Sequence, residues 1–91
     1  MLVVVSYDIS DHNKRRKIAE ILKDYGARVQ YSVFECNLDK KQLRKMIEEL
    51  LSHIDREQDS LRVYHLCESC ISKLEVYGSY QPLDDSEWIV I

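Results

Sequence analysis

The stretch that decides the fold is residues 2–8, LVVVSYD, an apolar and β-branched run that ends on the carboxylate of Asp8. A run of this length and composition predicts a buried strand. The polar residues 10–13 follow it and include acceptable N-caps for a helix. The first two turns of that helix carry four consecutive cations, residues 14–17. The sequence therefore predicts a strand that delivers one carboxylate to its C-terminal end, beside a basic helix start, where a metal could be held against a phosphate.

Size and composition predict one domain, residues 1–91. The chain is 45% hydrophobic and 32% charged, as is ordinary for a globular protein, and it is long enough for a single core. No segment is apolar enough to span a membrane, and the valine-rich start lacks a signal-peptide cleavage site, so we expect a cytoplasmic protein with no membrane partner. Three cysteines, an odd number, argue against a disulfide framework and agree with a reducing compartment.

Hydrophobic periodicity predicts two helices with strands between them. Ile18, Ile21, Leu22 and Tyr25 form one apolar face of a first helix, and we expect Gly26 to end it in the left-handed conformation. Residues 28–38 are rich in strand-forming types, and a tight turn near residues 30–32 would split them into two strands.

The second half of the chain continues this pattern. Asp39 and Gln42 match a capping box at the start of a second helix, whose apolar stripe runs from Leu43 to Ile54. A strand is expected over residues 61–66, a short helical turn over 67–73 and a further short strand over 74–77. This order predicts an α+β fold, a ferredoxin-like β-α-β-β-α-β sandwich with an added C-terminal strand. Because the apolar terminus, residues 88–91, would be an exposed strand edge, we expect residues 76–91 to extend the sheet of a second copy.

The distribution of charge favours a phosphate partner. The net charge is −3, yet the first third of the chain carries the cations Lys14, Arg15, Arg16, Lys17, Lys23 and Arg28. Four of them lie in the first two turns of the first helix, where they oppose the helix dipole, and an external anion would explain that placement. The alternative is a solvated helix face.

Asp8 is the first candidate for chemistry, because a strand places it at the end of a sheet. The alternative is a turn carboxylate that accepts hydrogen bonds from the amides of Ser10 or Asp11. One carboxylate is a poor Mg²⁺ site, and no second one in the chain suggests itself as a partner. A metal site therefore requires a two-fold dimer that brings two copies of Asp8 together.

Other candidates have weaker support. Cys67 and Cys70 form one CxxC pair, which lacks the second pair that structural zinc requires and lies too far downstream for a thioredoxin-like motif, so we expect buried or half-buried cysteines. His12 is close enough to Asp8 to donate a proton or contact a phosphate, or else it is a surface residue. Tyr7, Tyr31 and Phe34 could stack on bases, although aromatic residues in strands are more often core.

These residues together resemble the Cas2 family, the small CRISPR-associated proteins of spacer acquisition. The resemblance lies in Tyr7-Asp8-Ile9-Ser10-Asp11, the following Arg15 and Arg16, Gly26, and the segment RVQYSVFEC at residues 28–36, with DSLRVY at 59–64. It covers nearly the whole chain.

The resemblance implies a ferredoxin-like homodimer that bridges two copies of the CRISPR integrase subunit and supports duplex DNA. It implies a metal-dependent endonuclease acting on RNA or duplex DNA, with Asp8 holding Mg²⁺ at the dimer axis and Tyr7 as a second catalytic residue. By the same match, Arg15, Lys17, Arg28 and Phe34 take positions linked to activity or nucleic-acid contact, beside the basic Lys14 and Arg16. A scaffold without catalysis and a related ribonuclease toxin are the alternatives, and residues 88–91 are the expected contact with the integrase.

Overall fold

Four strands and three helices follow one another in residues 1–78, the part of the chain that the computed structural model describes. The elements are β1 Leu2–Asp8, α1 His12–Lys23, β2 Ala27–Gln30, β3 Val33–Asn37, α2 Lys40–Leu51, β4 Ser60–Leu66 and α3 Glu68–Ser72. The predicted helices and the first four predicted strands are confirmed.

The four strands form one sheet in the order β2-β3-β1-β4, with the paired neighbours antiparallel. The first strand is therefore central, as its apolar composition requires. Val5 lies opposite Phe34 on β3 and opposite Val63 on β4, which fixes the register. This strand order and the β-α-β-β-α-β sequence of elements confirm the ferredoxin-like fold.

Alternation along β1 divides the sheet into two faces. Val3, Val5 and Tyr7 are buried in one cluster with the apolar residues of α1 and α2, so both helices cover that face, which we call the helix side. Val4, Ser6 and Asp8 point to the other face, which we call the open side. Val4 and Ser6 are only half-buried there and Asp8 is exposed.

The first helix begins and ends where polar residues and packing dictate. Asp11 is its N-cap, and its carboxylate accepts a hydrogen bond of 2.8 Å from the amide of Lys14. The expected left-handed conformation at Gly26 is wrong, because among the described glycines only Gly78 has a positive φ. Gly26 is required for space instead: a Cβ there would lie 2.2 Å from the carbonyl oxygen of Glu35 and 2.6 Å from Cys36 Sγ.

The second helix has the predicted capping box. The amide of Gln42 donates to the Asp39 carboxylate at 2.7 Å, and the Gln42 side chain accepts from the Asp39 amide at 3.0 Å. Leu43, Met46 and Leu50 are buried along the expected stripe.

Two expectations about strands have different outcomes. The predicted tight turn is confirmed, because residues 31–32 separate β2 from β3, and the ladder is irregular between Arg28 and Gln30. The strand expected over residues 74–77 does not form within the single chain described, where these residues pair with no strand and Val76 and Tyr77 are exposed; its pairing with a second copy stays a prediction. A lone segment has no ladder to satisfy its backbone groups. The expected terminal strand beyond residue 78, including 88–91, lies outside the described residues.

Candidate nucleic-acid interface

A cleft of about 350 Å³ opens between the outer face of α1 and the turn after β2. Four cations outnumber its one carboxylate, and we call it the basic cleft; its lining is Tyr7, His12, Arg15, Arg16, Ala19, Glu20, Lys23, Arg28 and Tyr31. The cations come from α1 and from the following strand β2, which the short connection between them brings together. A groove that presents several guanidinium groups and an exposed ring suits a nucleic-acid backbone.

Three contacts fix Arg15 in this cleft. Its Nη1 donates a hydrogen bond of 3.2 Å to the carbonyl oxygen of Ile9, and its Nη2 lies 3.1 Å from His12 Nδ1. Its guanidinium carbon lies 5.7 Å from the ring centroid of Tyr31, a cation–π distance. The guanidinium is thus held in place before any ligand arrives.

His12 also lies next to Arg16, whose Nη2 is 3.2 Å from His12 Nε2. A neutral imidazole accepts at only one nitrogen, so one of the two arginine contacts is a hydrogen bond at a time. The arginine that does not donate to His12 keeps its Nη2 hydrogen available to a ligand. His12 is the first residue of α1, and its ring forms part of the cleft wall between the two arginines.

Arg28 approaches the cleft from the sheet. Its guanidinium carbon lies 5.2 Å from the ring centroid of Phe34. Its Nε is buried and has no hydrogen-bond partner among residues 1–78. Because Nε is buried, an anion in the cleft meets only the exposed part of the Arg28 side chain, whose charge strengthens any hydrogen bond that it donates.

The three aromatic candidates have different environments. Phe34 is completely buried and Tyr7 is 4% exposed, so both belong to the core, and a buried Phe34 is not available to stack on a base. Their rings lie 6.4 Å apart. Tyr31 is 69% exposed, so its ring is the part of the cleft lining that a base can reach.

Two predicted cations lie away from the cleft lining. Lys14 pairs with Asp59 through an Nζ–Oδ2 distance of 2.9 Å, and the Asp59 side chain is only 3% exposed. The hydrogen bond from Lys14 and, above all, the one from the amide of Asp55 hold the pKa of Asp59 below its usual range. The hydrogen bond to Asp59 also raises the pKa of Lys14. Lys14 thus ties α1 to the loop before β4, whereas Lys17 is exposed.

Asp8 lies in a second, smaller cleft on the open side, of about 180 Å³. Its lining is Ser6, Tyr7, Asp8, Ser60 and Arg62, and we call it the Asp8 cleft. The cap role considered for Asp8 is wrong, because Asp11 caps α1, and the Asp8 carboxylate accepts no hydrogen bond from residues 1–78. The basic and Asp8 clefts are separate, and Tyr7 lines both.

The Asp8 carboxylate fits a magnesium ion only as one ligand of several. An exposed carboxylate without a protein partner is the hard oxygen donor that Mg²⁺ prefers. Residues 1–78 contain no group of three or more His, Cys, Asp or Glu side chains placed to hold a metal. Asp8 can therefore hold the ion only together with water, phosphate or a second carboxylate from another chain.

The cysteines differ from expectation. Cys36 is buried, but Cys67 and Cys70 are both exposed, so the expectation of burial is wrong for this pair. Cys67 and Cys70 lie at the start of a short helix after an edge strand, where little of residues 1–78 packs over them.

Sequence reasoning named Lys23 among the cations and Tyr31 among the residues that could stack on bases, and the structure places both in the basic cleft. It did not place Ser60 and Arg62 beside Asp8. Ser60 and Arg62 could not be found from local sequence, since their position depends on the register of β4 against β1.

The fold is that of a known family. The model of the CRISPR associated protein Cas2 family matches residues 1–74. This chain belongs to the Cas2 family. Family relatives include the CRISPR-associated endoribonuclease Cas2 1 of Chloroflexus aurantiacus, which is 44% identical over 94 aligned residues that cover 100% of this chain and 99% of the relative.

Solved structures give the same result. A crystal structure of Streptococcus pyogenes Cas2 is similar with a TM-score of 0.76 and 34% identity, covering 86% of this chain and 100% of that one. A chain of a partial Cas6-RT-Cas1–Cas2 complex is similar with a TM-score of 0.65 and 28% identity, covering 82% of this chain and 88% of that one. Within residues 1–78, no helix is long and apolar enough to cross a membrane.

Proposed function

We propose that this protein acts in CRISPR adaptation as a homodimer that binds duplex DNA through the basic cleft and bridges integrase subunits. The observation that carries this proposal is the cleft itself, which Arg15, Arg16 and Arg28 line and in which Arg15 is held by the carbonyl oxygen of Ile9 and the ring of Tyr31. Such donors suit phosphate oxygens, which carry no sequence information, so the binding is sequence-independent.

Each basic residue has its own part in this binding. Arg15, Arg16 and Arg28 contact phosphates directly, and exposed Lys17 adds charge beside them. Phe34 acts as a positioning residue, because its buried ring supports the guanidinium of Arg28 at 5.2 Å. Lys14 contributes mainly by fixing α1 through its ion pair with Asp59.

The homodimer follows from the open side of the sheet. An antiparallel sheet can leave one face to solvent, but this face carries half-buried Val4 in the central strand and Tyr64, which is 48% exposed, and such apolar surface favours a partner. A second copy packed on this face would cover them and would bring two Asp8 carboxylates near one axis. The complex in which a similar chain was solved supports an integrase partner.

Nuclease activity is the second candidate function, and the exposed Asp8 carboxylate favours it. Mg²⁺, when bound, would activate a water and stabilise charge on the phosphate. Asp8 would be the protein ligand, and Arg62 in the same cleft would hold the phosphate. Tyr7, the second residue that the resemblance implies, lies with its side chain on the helix side, where its hydroxyl donates to the carbonyl oxygen of Tyr31 at 3.5 Å, so we give it a positioning role beside Asp8. The relative named an endoribonuclease makes RNA the first substrate to test, with duplex DNA beside it.

Salt-dependent binding tests the scaffold function. Affinity for a labelled DNA duplex is measured for wild type and Arg15→Ala over a range of salt concentrations. Because each phosphate-binding cation displaces counterions, the substitution should reduce the slope of log affinity against log salt by about 1 for each phosphate that Arg15 neutralises. Arg56→Ala, which removes an exposed arginine in the loop before β4, is the matched control and should leave the slope unchanged. Equal slopes for wild type and Arg15→Ala would refute the proposal.

Cleavage of single-stranded RNA and duplex DNA, with Mg²⁺ titrated, tests the nuclease function. Asp8→Asn should abolish cleavage while leaving duplex affinity and dimerisation intact. Asp24→Asn removes another exposed carboxylate, at the end of α1, and should cleave like wild type. If wild type does not cleave, or Asp8→Asn cleaves equally, the nuclease function is rejected and duplex binding is unaffected.

A further inference from the structure

Two exposed thiols face each other at the start of α3. Cys67 is the N-cap residue of this helix and Cys70 lies one turn further on, with 3.4 Å between the two sulfur atoms. The third cysteine, Cys36, is buried on the helix side. Neither duplex binding nor the Asp8 cleft uses the exposed pair.

We propose that Cys67 and Cys70 form a redox-active dithiol, which a small-molecule disulfide such as glutathione disulfide converts to an intramolecular disulfide. The backbone already places the two residues within one turn, so only side-chain rotation is needed to shorten the separation of the sulfurs to about 2.05 Å. Both thiols are exposed, so a small disulfide can reach them.

The two thiols have unequal reactivity, which sets the order of events. Hydrogen bonds from the backbone amide and the thiol of Cys70 lower the pKa of Cys67. The same thiol–thiol hydrogen bond raises the pKa of Cys70. Because the thiolate is the nucleophile, Cys67 attacks first and Cys70 resolves the intermediate.

The reaction balances as two thiol–disulfide exchanges. The Cys67 thiolate attacks one sulfur of glutathione disulfide, forming a Cys67–glutathione disulfide and releasing one glutathione thiolate. Cys70 then loses its proton to that thiolate and attacks Cys67 Sγ, forming the Cys67–Cys70 disulfide and releasing the second glutathione. The protein loses two electrons and two protons, and glutathione disulfide gains them.

A zinc site is the competing explanation for a CxxC pair. Structural zinc takes four ligands, and the pair supplies two. Residues 1–78 contain no third His, Cys, Asp or Glu placed to join them. The described geometry therefore favours the dithiol.

The test uses the full-length protein, incubated with increasing glutathione disulfide in a reduced-glutathione buffer, then alkylated after unfolding and measured by mass spectrometry. Wild type should lose two alkylation sites without gaining glutathione, and Cys36 should remain alkylatable throughout. Cys70→Ser should accumulate one glutathione adduct on Cys67. Cys67→Ser should react with glutathione disulfide more slowly than Cys70→Ser, because Cys70→Ser keeps the backbone hydrogen bond that most lowers the pKa of Cys67.

Several results would overturn the proposal. Wild type that keeps both thiols alkylatable, or that forms a disulfide between two chains, lacks the intramolecular reaction. Equal rates for the two serine variants would refute the assigned order. Zinc measured in the purified protein at one ion per chain, with protection of both thiols until a chelator is added, would assign the pair to a metal site instead.

Discussion

Tyr7 and Asp8 are neighbours in sequence but belong to opposite faces of the sheet. Tyr7 is 4% exposed on the helix side and contributes to the wall of the basic cleft, whereas Asp8 is exposed on the open side. The period of two in a strand causes the separation. Arg15, Arg16 and the carboxylate of Asp8 are close in the sequence. In the fold they line two distinct clefts, which share only Tyr7 among their lining residues.

The two faces also differ in how complete they are. The helix side is a closed core. The basic cleft beside it already contains several guanidinium groups from one chain. The open side offers one carboxylate and half-covered apolar residues, so it needs a second copy to become a metal site or an interior. Substitutions in the helix-side core should therefore act on folding, those in the basic cleft on duplex binding, and those on the open side on assembly and metal chemistry.

The largest effect is expected for Gly26→Ala, at the tightest packing on the helix side. The new methyl group would lie 2.2 Å from the backbone oxygen of Glu35, which cannot rotate away. We expect a loss of about 3 kcal/mol in the free energy of unfolding, at the upper end of overpacking effects, measured by urea denaturation.

The control is Gly78→Ala, whose added Cβ would have no neighbour within 4 Å, although its φ of +91° strains an alanine. Its cost should be clearly smaller than that of Gly26→Ala. Equal stabilities of wild type and Gly26→Ala would show that α1 and β3 are less closely packed than described.

The sharpest comparison of the two faces uses adjacent valines of β1. Val5 is completely buried on the helix side, and Val4 is half-buried on the open side. Val5→Ala should lower the free energy of unfolding by about 2–3 kcal/mol, and Val4→Ala by less than about 1 kcal/mol in the separated monomer. Denaturation at low protein concentration measures both.

Dimer dissociation, followed by analytical ultracentrifugation, should show the opposite order for these valines. Val4→Ala is expected to weaken the dimer more than Val5→Ala. If Val4→Ala lowered the free energy of unfolding of the monomer more than Val5→Ala does, the open side would have to be covered within one chain.

A smaller effect is expected inside the helix layer, where the hydroxyl of Tyr25 donates a hydrogen bond of 2.7 Å to Glu49. Burial, and then this bond, raises the pKa of Tyr25 to about 12. Tyr25→Phe should cost about 0.5–1.5 kcal/mol near neutral pH.

The pH dependence of that difference follows from the raised pKa. The unfolded tyrosine ionises near pH 10 and the folded one near 12, so the contribution is present below about pH 10 and is lost as pH rises to about 12. Denaturation of wild type and Tyr25→Phe at several alkaline pH values checks this. A difference that grows with pH would contradict the assignment.

Local sequence was sufficient to predict elements whose signals are local. The capping box of Asp39 and Gln42, the stripe of α2 and the turn at residues 31–32 each depend on residues a few positions apart, and all three were predicted. Asp8 was placed at the end of a central strand for the same reason, because its strand is a continuous apolar run.

Properties set by distant parts of the chain were not predicted. Gly26 was expected to serve a left-handed turn, but its role depends on how closely β3 approaches it. The exposure of Cys67 and Cys70 and the position of Arg62 beside Asp8 likewise depend on which strand lies at the edge of the sheet and in what register. The spacing of residues along the sequence determines neither the order of the strands nor their register.

The most direct test of the separation between the clefts is the affinity for one labelled duplex, measured in parallel for Arg28→Ala and Asp8→Asn. Arg28→Ala should weaken binding at least about fivefold, or about 1 kcal/mol, because it removes a cation that lines the basic cleft. Asp8→Asn should bind within about twofold of wild type, since Asp8 lies in the other cleft. Unchanged binding by Arg28→Ala, or a large loss with Asp8→Asn in dimeric protein, would contradict the account.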